Sequence, residues 1–365
     1  MFVLRLAATS WMAWLLSGCL TLVQADERDA AADGTQPPAA EQKKPSPWLF
    51  APVFNSSPKL GVTLGATVGY IHLFDSQSRP SIFAMTGQYT NTDSIVGGAF
   101  AKTSFDEDRQ RLNAAVTYGN IRNDYNDYLG TGIPLRNNAE LKSLISRYLH
   151  RVYGDWFVGA QGIYQNFAIA GDTAFDDLLL DILGVAPYKS GGIGLVGYYD
   201  SRDNDFKPTN GWLLNLNNLA YRESLGGEQN FDVYRLDIRH YIPYAGGNVF
   251  AFRQLNHLTN DAPTQNLAPV QLRGYKVGQY SGRYMSQIEG EARLRLAERW
   301  TATVFVGVGC TYGAGKSCSG ANLFPAAGAG VQYVLKPAVG IVLNLEYAQG
   351  KDGNYGVYLK TGYAF

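Results

Sequence analysis

Residues 287–296 read QIEGEARLRL. Gln287, Glu289, Glu291, Arg293 and Arg295 fall at every second position, and Ile288, Gly290, Ala292, Leu294 and Leu296 fill the alternate ones. Side chains of a β-strand point to its two faces in turn, so this segment is a strand with one polar and one apolar side. The acids and arginines of the polar side come in blocks that can pair with neighbouring strands. A soluble sandwich would bury the apolar side on a second sheet, whereas a membrane barrel would turn it to lipid. Alternation by itself does not separate the two.

The same period runs through the last eleven residues, YGVYLKTGYAF, with Tyr355, Val357, Leu359, Thr361, Tyr363 and Phe365 on one side. Segments of this kind are expected near 48–54, 59–74, 80–91, 94–104, 109–119, 143–152, 155–165, 191–200, 210–220, 230–242, 247–256, 283–296, 301–312, 323–334, 338–348 and 355–365. That makes about 16, an even number at roughly ten residues each, as bacterial transmembrane barrels require. Connections after the fifth, seventh and eleventh segments are long, near 120–142, 166–190 and 257–282. Those after the second, fourth, sixth, tenth, twelfth and fourteenth are a few residues each. The connection after the eighth, 201–209, is intermediate. Long loops on one side and short turns on the other is the outer-membrane arrangement. The expected fold class is therefore all-β, a transmembrane antiparallel barrel.

Composition agrees with this choice. The 365 residues include 24 Tyr, 17 Phe and 41 Gly, and the 31 basic and 31 acidic residues cancel, which leaves no electrostatic footprint for nucleic acid. Past the N-terminal segment no run of about 18 apolar residues offers a membrane helix, yet a closed barrel can still span a bilayer because it pairs its backbone internally. The first 25 residues, one arginine and an apolar core ending in Val23-Gln24-Ala25, read as a secretory signal cut after Ala25. Leu16-Ser17-Gly18-Cys19 offers a competing lipoprotein site. Residues 26–47, rich in Ala, Pro and charge, read as a disordered linker. The barrel domain is expected over 48–365.

Two stretches carry more than a fold. One is GLVGYYDSRDNDFKPTNGWLLNLN, 194–217; the other is QLRGYKVGQYSGR, 271–283, followed by the strand quoted first. Together they resemble the BamA/TamA superfamily of outer-membrane barrels, the bacterial surface-antigen type. The family's turn motif is matched by Asp200, Arg202, Asp203, Asn204, Pro208 and Gly211, and its loop signature by Leu272, Arg273, Gly274 and Tyr275. The segment IVLNLEYAQGKDGN and the terminal Phe365 also fit. The resemblance implies that the loop at 257–282 folds into the barrel lumen and docks its arginine on the inner wall. A guanidinium in a partly desolvated lumen needs acceptors, and its fork suits a carboxylate.

Two departures stand out. The family's docking aspartate lies two residues after a phenylalanine on the thirteenth strand, but here Phe305 is followed by Gly307. Glu289 or Glu291, on the polar face of the twelfth strand, is the expected replacement. Typical members also carry periplasmic POTRA repeats, which residues 26–47 are too short to supply, so the chain looks like a short member of the type.

Other signals are weaker. Gly313-Ala-Gly-Lys-Ser317 echoes a phosphate-binding loop but has Cys310 where the pattern needs glycine. Cys310 and Cys318 flank a turn and are expected to form a disulfide in an oxidising compartment. His72, His150, His240 and His257 single out no Ser-His pair, so no enzyme, catalytic residue, metal or cofactor is expected. In 171–184, Phe175, Leu178, Leu179, Ile182 and Leu183 fit one face of a short helix capped by Asp172 or Thr173. Tyr363 and Phe365 give the aromatic-x-aromatic end that similar proteins present to the barrel assembly machinery.

The resemblance implies a monomer in outer-membrane lipid of a Gram-negative bacterium, with client proteins as partners, that assists insertion or export of proteins or lipids through a weak first–last strand seam. Pro47 and Pro52 in the first strand cannot donate to a ladder and point the same way. A passive pore or surface-exposed structural antigen is the alternative.

Overall fold

The computed structural model describes residues 47–57, 61–125, 133–204, 207–264, 266–336 and 341–361. The expected signal segment, Cys19, residues 26–46 of the linker, and Tyr363 and Phe365 lie outside these residues.

The described residues form a closed antiparallel barrel of 16 strands. It opens with β1 (Trp48–Ser57), β2 (Gly61–His72), β3 (Ser81–Thr90) and β4 (Ile95–Phe105). A tall wall follows, made of β5 (Gln110–Tyr125), β6 (Leu135–Tyr153), β7 (Trp156–Gly171) and β8 (Tyr188–Asp200). Next come β9 (Gly211–Tyr221), β10 (Phe231–Tyr244) and β11 (Asn248–Asn260). The chain then enters a long loop that holds two two-residue strands, β12 (Ala268–Pro269) and β13 (Ser281–Gly282), paired only with each other. It returns as β14 (Tyr284–Arg295), which pairs with β11, and finishes with β15 (Trp300–Tyr312), β16 (Leu323–Lys336), β17 (Ile341–Gly350) and β18 (Tyr355–Thr361).

The alternating pattern sorts itself by face. On β14, Gln287, Glu289, Glu291 and Arg293 are buried inside, while Ile288 is exposed outside. Val62, Leu64 and Val68 of β2 and Val304, Val306 and Val308 of β15 are likewise exposed on the outer face. Four tryptophans mark one rim. Trp48, Trp156, Trp212 and Trp300 stand at or next to the first residues of β1, β7, β9 and β15, each against a ring on the adjacent strand: Tyr70 at 5.2 Å, Tyr199 at 4.8 Å, His240 at 3.6 Å and Tyr333 at 4.7 Å. A girdle of large amphipathic rings beside an aliphatic band is the signature of a barrel seated in lipid. From Trp156 to Tyr164 the band runs roughly 26 Å along the strand.

The structure corrects two expectations about the loops. The stretch 120–142 is largely strand and 166–190 is strand at both ends around a helix, leaving connections at 126–134 and 172–187. The outward residues there include Arg136, Glu140 and Lys142, while Ile121, Leu135, Ala139 and Leu141 are buried inside, so past the lipid band the apolar face changes sides and the alternation inverts. The helix α1 (Ala174–Ile182) is capped by Thr173, whose hydroxyl accepts from Asp176 N at 3.2 Å while Asp176 Oδ2 accepts from Thr173 N at 3.1 Å. It buries Leu179, Leu180 and neighbouring Leu183 against Tyr125, Leu135 and Val185, and leaves Phe175, Leu178 and Ile182 exposed. The expected apolar face is thus split. Asp176 also accepts from Arg136 N at 3.1 Å, and this bond to the wall turns the helix.

At the seam β1 meets β18 through Ser56 and Leu359, the one residue pair of that ladder among the described residues. By contrast β1 pairs with β2 over ten residues and β17 with β18 over seven. In the β15–β16 loop, Cys310 and Cys318 form a disulfide with a Cα separation of 5.3 Å.

Candidate functional site: a plug docked on the lumen wall

The long loop is held at its base by Thr259 N donating to Arg283 O at 2.9 Å and by the β12–β13 pair. Its tip, 270–275, is buried inside the barrel. Two successive turns shape it. Tyr275 N donates to Leu272 O at 3.3 Å and Gln279 N to Lys276 O at 3.1 Å, with Gly274 (φ 96°) and Gly278 (φ 90°) at the third positions. A positive φ at that position is what makes a type II turn select glycine. The first turn pushes Arg273 forward at its corner.

Arg273 lands on three glutamates. Its Nη2 donates to Glu289 Oε1 at 2.8 Å and its Nε to Glu289 Oε2 at 3.3 Å, a bidentate fork. Nη1 donates to Glu291 Oε2 at 2.7 Å and to Glu346 Oε1 at 3.0 Å. The guanidinium carbon lies 3.4 Å from the centre of the Phe305 ring, so the cation also stacks on an aromatic face. Glu289 and Glu291 were singled out by the strand pattern; Glu346 was not, although it sits in the NLEY stretch on the same inward face as Asn344 and Ala348.

The neighbours of Arg273 complete the dock. Leu272 presses on the strand that lacks the aspartate: a Cβ at Gly307 would meet Leu272 Cδ2 at 3.0 Å, and one at Gly309 would meet Cδ1 at 3.2 Å. Gly307 therefore provides the room for Leu272, and the negative charge has moved to β14 and β17. Gly274 N donates to the Tyr358 hydroxyl of β18 at 2.7 Å. Tyr275 lies across Gly350, donates to Pro325 O at 2.5 Å, and accepts from Lys351 N at 2.9 Å. Its ring joins Tyr280 and Phe324 in one aromatic cluster.

The turn between β8 and β9 meets this dock from the other rim. Asp200 is buried and accepts from Arg202 Nε at 2.8 Å and Nη2 at 3.1 Å. The Asp203 carboxylate closes the turn on the amides of Asn204 at 2.9 Å, Thr209 at 2.9 Å and Asn210 at 3.2 Å. Asn204 Oδ1 accepts from Lys207 N at 2.8 Å. Gly211 (φ 103°) lies where a Cβ would strike Ser201 O. The buried Pro208 offers its carbonyl to Arg293 Nη1 at 3.1 Å, and Arg293 Nε donates to Glu291 Oε1 at 2.8 Å. The two sequence motifs are thus joined in one chain of contacts, Arg273–Glu291–Arg293–Pro208. Arg293 is visible on the polar face of β14, but nothing in its spacing tells that it bridges to a turn three strands away.

Gly307→Asp, which supplies the aspartate at the family position, should destabilise the barrel by about 1–3 kcal/mol, because overpacking displaces Leu272. A heat-modifiability midpoint equal to wild type would show that Gly307 is not kept for that space, and Leu272→Ala should recover part of the loss.

By sequence, neither a family model nor a curated protein matches the chain. Its fold does match solved structures. BamA from Haemophilus ducreyi lacking POTRA domains 1–3 shares 12% identity at a TM-score of 0.60, over 88% of this chain and 71% of that one. CdiB from Acinetobacter baumannii shares 11% at 0.60, over 87% and 60%. CdiB from Escherichia coli shares 10% at 0.59, over 88% and 63%. The chain thus spans 60% and 63% of the two CdiB chains. The likeness is one of fold: a BamA-like 16-stranded barrel.

Proposed function

We propose that this chain is an outer-membrane barrel that assists insertion or export of proteins or lipids by opening between β1 and β18. The first strand carries this reading: Pro47 and Pro52 cannot donate to a ladder and leave β1 short of backbone donors. A strand held by fewer ladder bonds separates more readily, so this junction opens first. The plug supports the same reading, because its Gly274 amide is bonded to Tyr358 of the seam strand. Movement of the plug is then felt at the gate. Client proteins, outer-membrane lipid and, during biogenesis, the assembly machinery are the partners this function entails.

The test is a reversible lock. Ser56→Cys with Leu359→Cys, placed at the register pair, should form a disulfide under oxidation. In proteoliposomes the locked barrel should slow assembly of a client barrel precursor at least tenfold, and reductant should restore it. Client assembly that proceeds equally in the locked barrel would defeat the gate reading. A passive pore or surface-exposed structural antigen is the second reading, and the wall of β5–β8 standing above the lipid band favours it. Conductance untouched by the lock, with no client assembly in either state, would select it.

A further inference from the structure

The inner wall opposite the dock has the reverse charge. On β4–β11 the inward positions carry Lys102, Arg111, Arg147, Arg151, Arg235, Arg239 and Arg253. The acids Asp108, Asp200 and Asp237 face them. Most of these cations are matched: Asp108 takes Arg111 and Arg151, and Asp200 takes Arg202. Asp237 is saturated. Arg239 donates to it with Nε at 3.2 Å and Nη2 at 2.8 Å, and Arg253 with Nε at 3.1 Å and Nη2 at 2.9 Å. Two forks occupy both carboxylate oxygens and leave no acceptor for a third.

Arg235, two residues from Asp237 on the same face, consequently has no hydrogen-bond or ion-pair partner among the described residues. Arg147 has only amides. Its Nε and Nη2 donate to Gln161 Oε1 at 3.1 and 2.6 Å, and its Nη1 reaches Asn215 Oδ1 at 3.4 Å. That reach carries the guanidinium from β6 over to β9. There Asn215 accepts from Asn217 at 3.1 Å, and Asn217 is the register partner of Arg235. The two guanidinium groups therefore approach one patch of wall. His257, the register partner of Arg235 on β11, adds a ring whose two nitrogens also lack protein partners. Both arginines are half-buried, so water reaches them.

We propose that this patch is an oxyanion-binding site, with Arg147 and Arg235 as its two cations, and that it takes the phosphate group of a water-borne solute. Two cations, neither of which has a carboxylate hydrogen-bonded to it, suit a dianion better than a single carboxylate. The sheet separates the patch from lipid, which sets a lipid headgroup aside. The site is independent of whether the seam admits clients.

The test uses the refolded full barrel in detergent at constant ionic strength, with inorganic phosphate followed by phosphorus NMR line broadening. Wild type should show saturable binding. Arg235→Gln should weaken it at least tenfold, Arg235→Lys should restore most of it, and Lys142→Gln on the outer face should leave it unchanged. Arg235 makes no hydrogen bond that the fold would lose, so Arg235→Gln should keep the wild-type heat-modifiable mobility. Arg147→Gln should weaken binding similarly, and acetate should compete at least tenfold less well than phosphate. Lack of saturation in wild type, equal binding by Arg235→Gln, or equal competition by acetate or chloride would overturn the proposal.

Discussion

Arg273→Ala should lower the unfolding midpoint of the barrel more than any other single substitution in the dock. The side chain touches three carboxylates, and among them Arg293 remains only for Glu291. Glu289 and Glu346 would be left buried without a cation. Removing one partner from a buried ion pair costs about 3–5 kcal/mol, because the remaining charge stays desolvated. Arg273→Lys should recover part of this: it keeps the charge and loses the fork on Glu289 and the flat stack on Phe305. The penalty belongs mainly to the stranded charges, so Arg273→Met combined with Glu289→Gln and Glu346→Gln should come back towards wild type. The measurement is the urea or heat midpoint of the electrophoretic mobility shift. An Arg273→Ala barrel with the wild-type midpoint would mean that the docked arginine contributes nothing to holding the fold.

The second large effect should come from removing the plug. Deleting 262–280 and bridging the gap with a few Gly and Ser residues leaves β11 and β14 paired along their length. Barrels of 16 strands enclose an aqueous channel when nothing fills them. In planar bilayers the intact chain should give small, flickering currents, and the deletion should raise the steady conductance by roughly an order of magnitude. Large and equal conductance in both would show that the loop does not block the lumen, and the reading of LRGY as a dock would fall with it.

Much of this arrangement can be read from residue order. Period-two alternation in QIEGEARLRL assigns Glu289 and Glu291 to one face, because a strand has only two faces to offer. The glycines of LRGYKVGQ announce two turns, because only glycine adopts their positive φ without strain. The strand ends were harder to read. Above the lipid band β5 and β6 turn their apolar residues inward and their polar ones outward, so the alternation reverses its sense although the ladder continues. The helix turns a different face to the wall than its apolar period indicates, because Asp176 is held inward by bonds to Thr173 and Arg136, and no hydrophobic period registers such a bond.

The sequence by itself determined the class of the fold, the two faces of strands such as 287–296 and 355–365, and the loop that supplies the arginine. Those properties follow from local geometry, the two-residue repeat of a strand and the φ of a turn. Only the tertiary structure decided which carboxylates receive Arg273, why Gly307 stands where an aspartate was expected, how Arg293 ties the plug to the Pro208 turn, and that Asp237 is taken by two arginines while Arg235 is left over. Each of these depends on which strands closure of the barrel brings face to face, and on how many acceptor sites one carboxylate has.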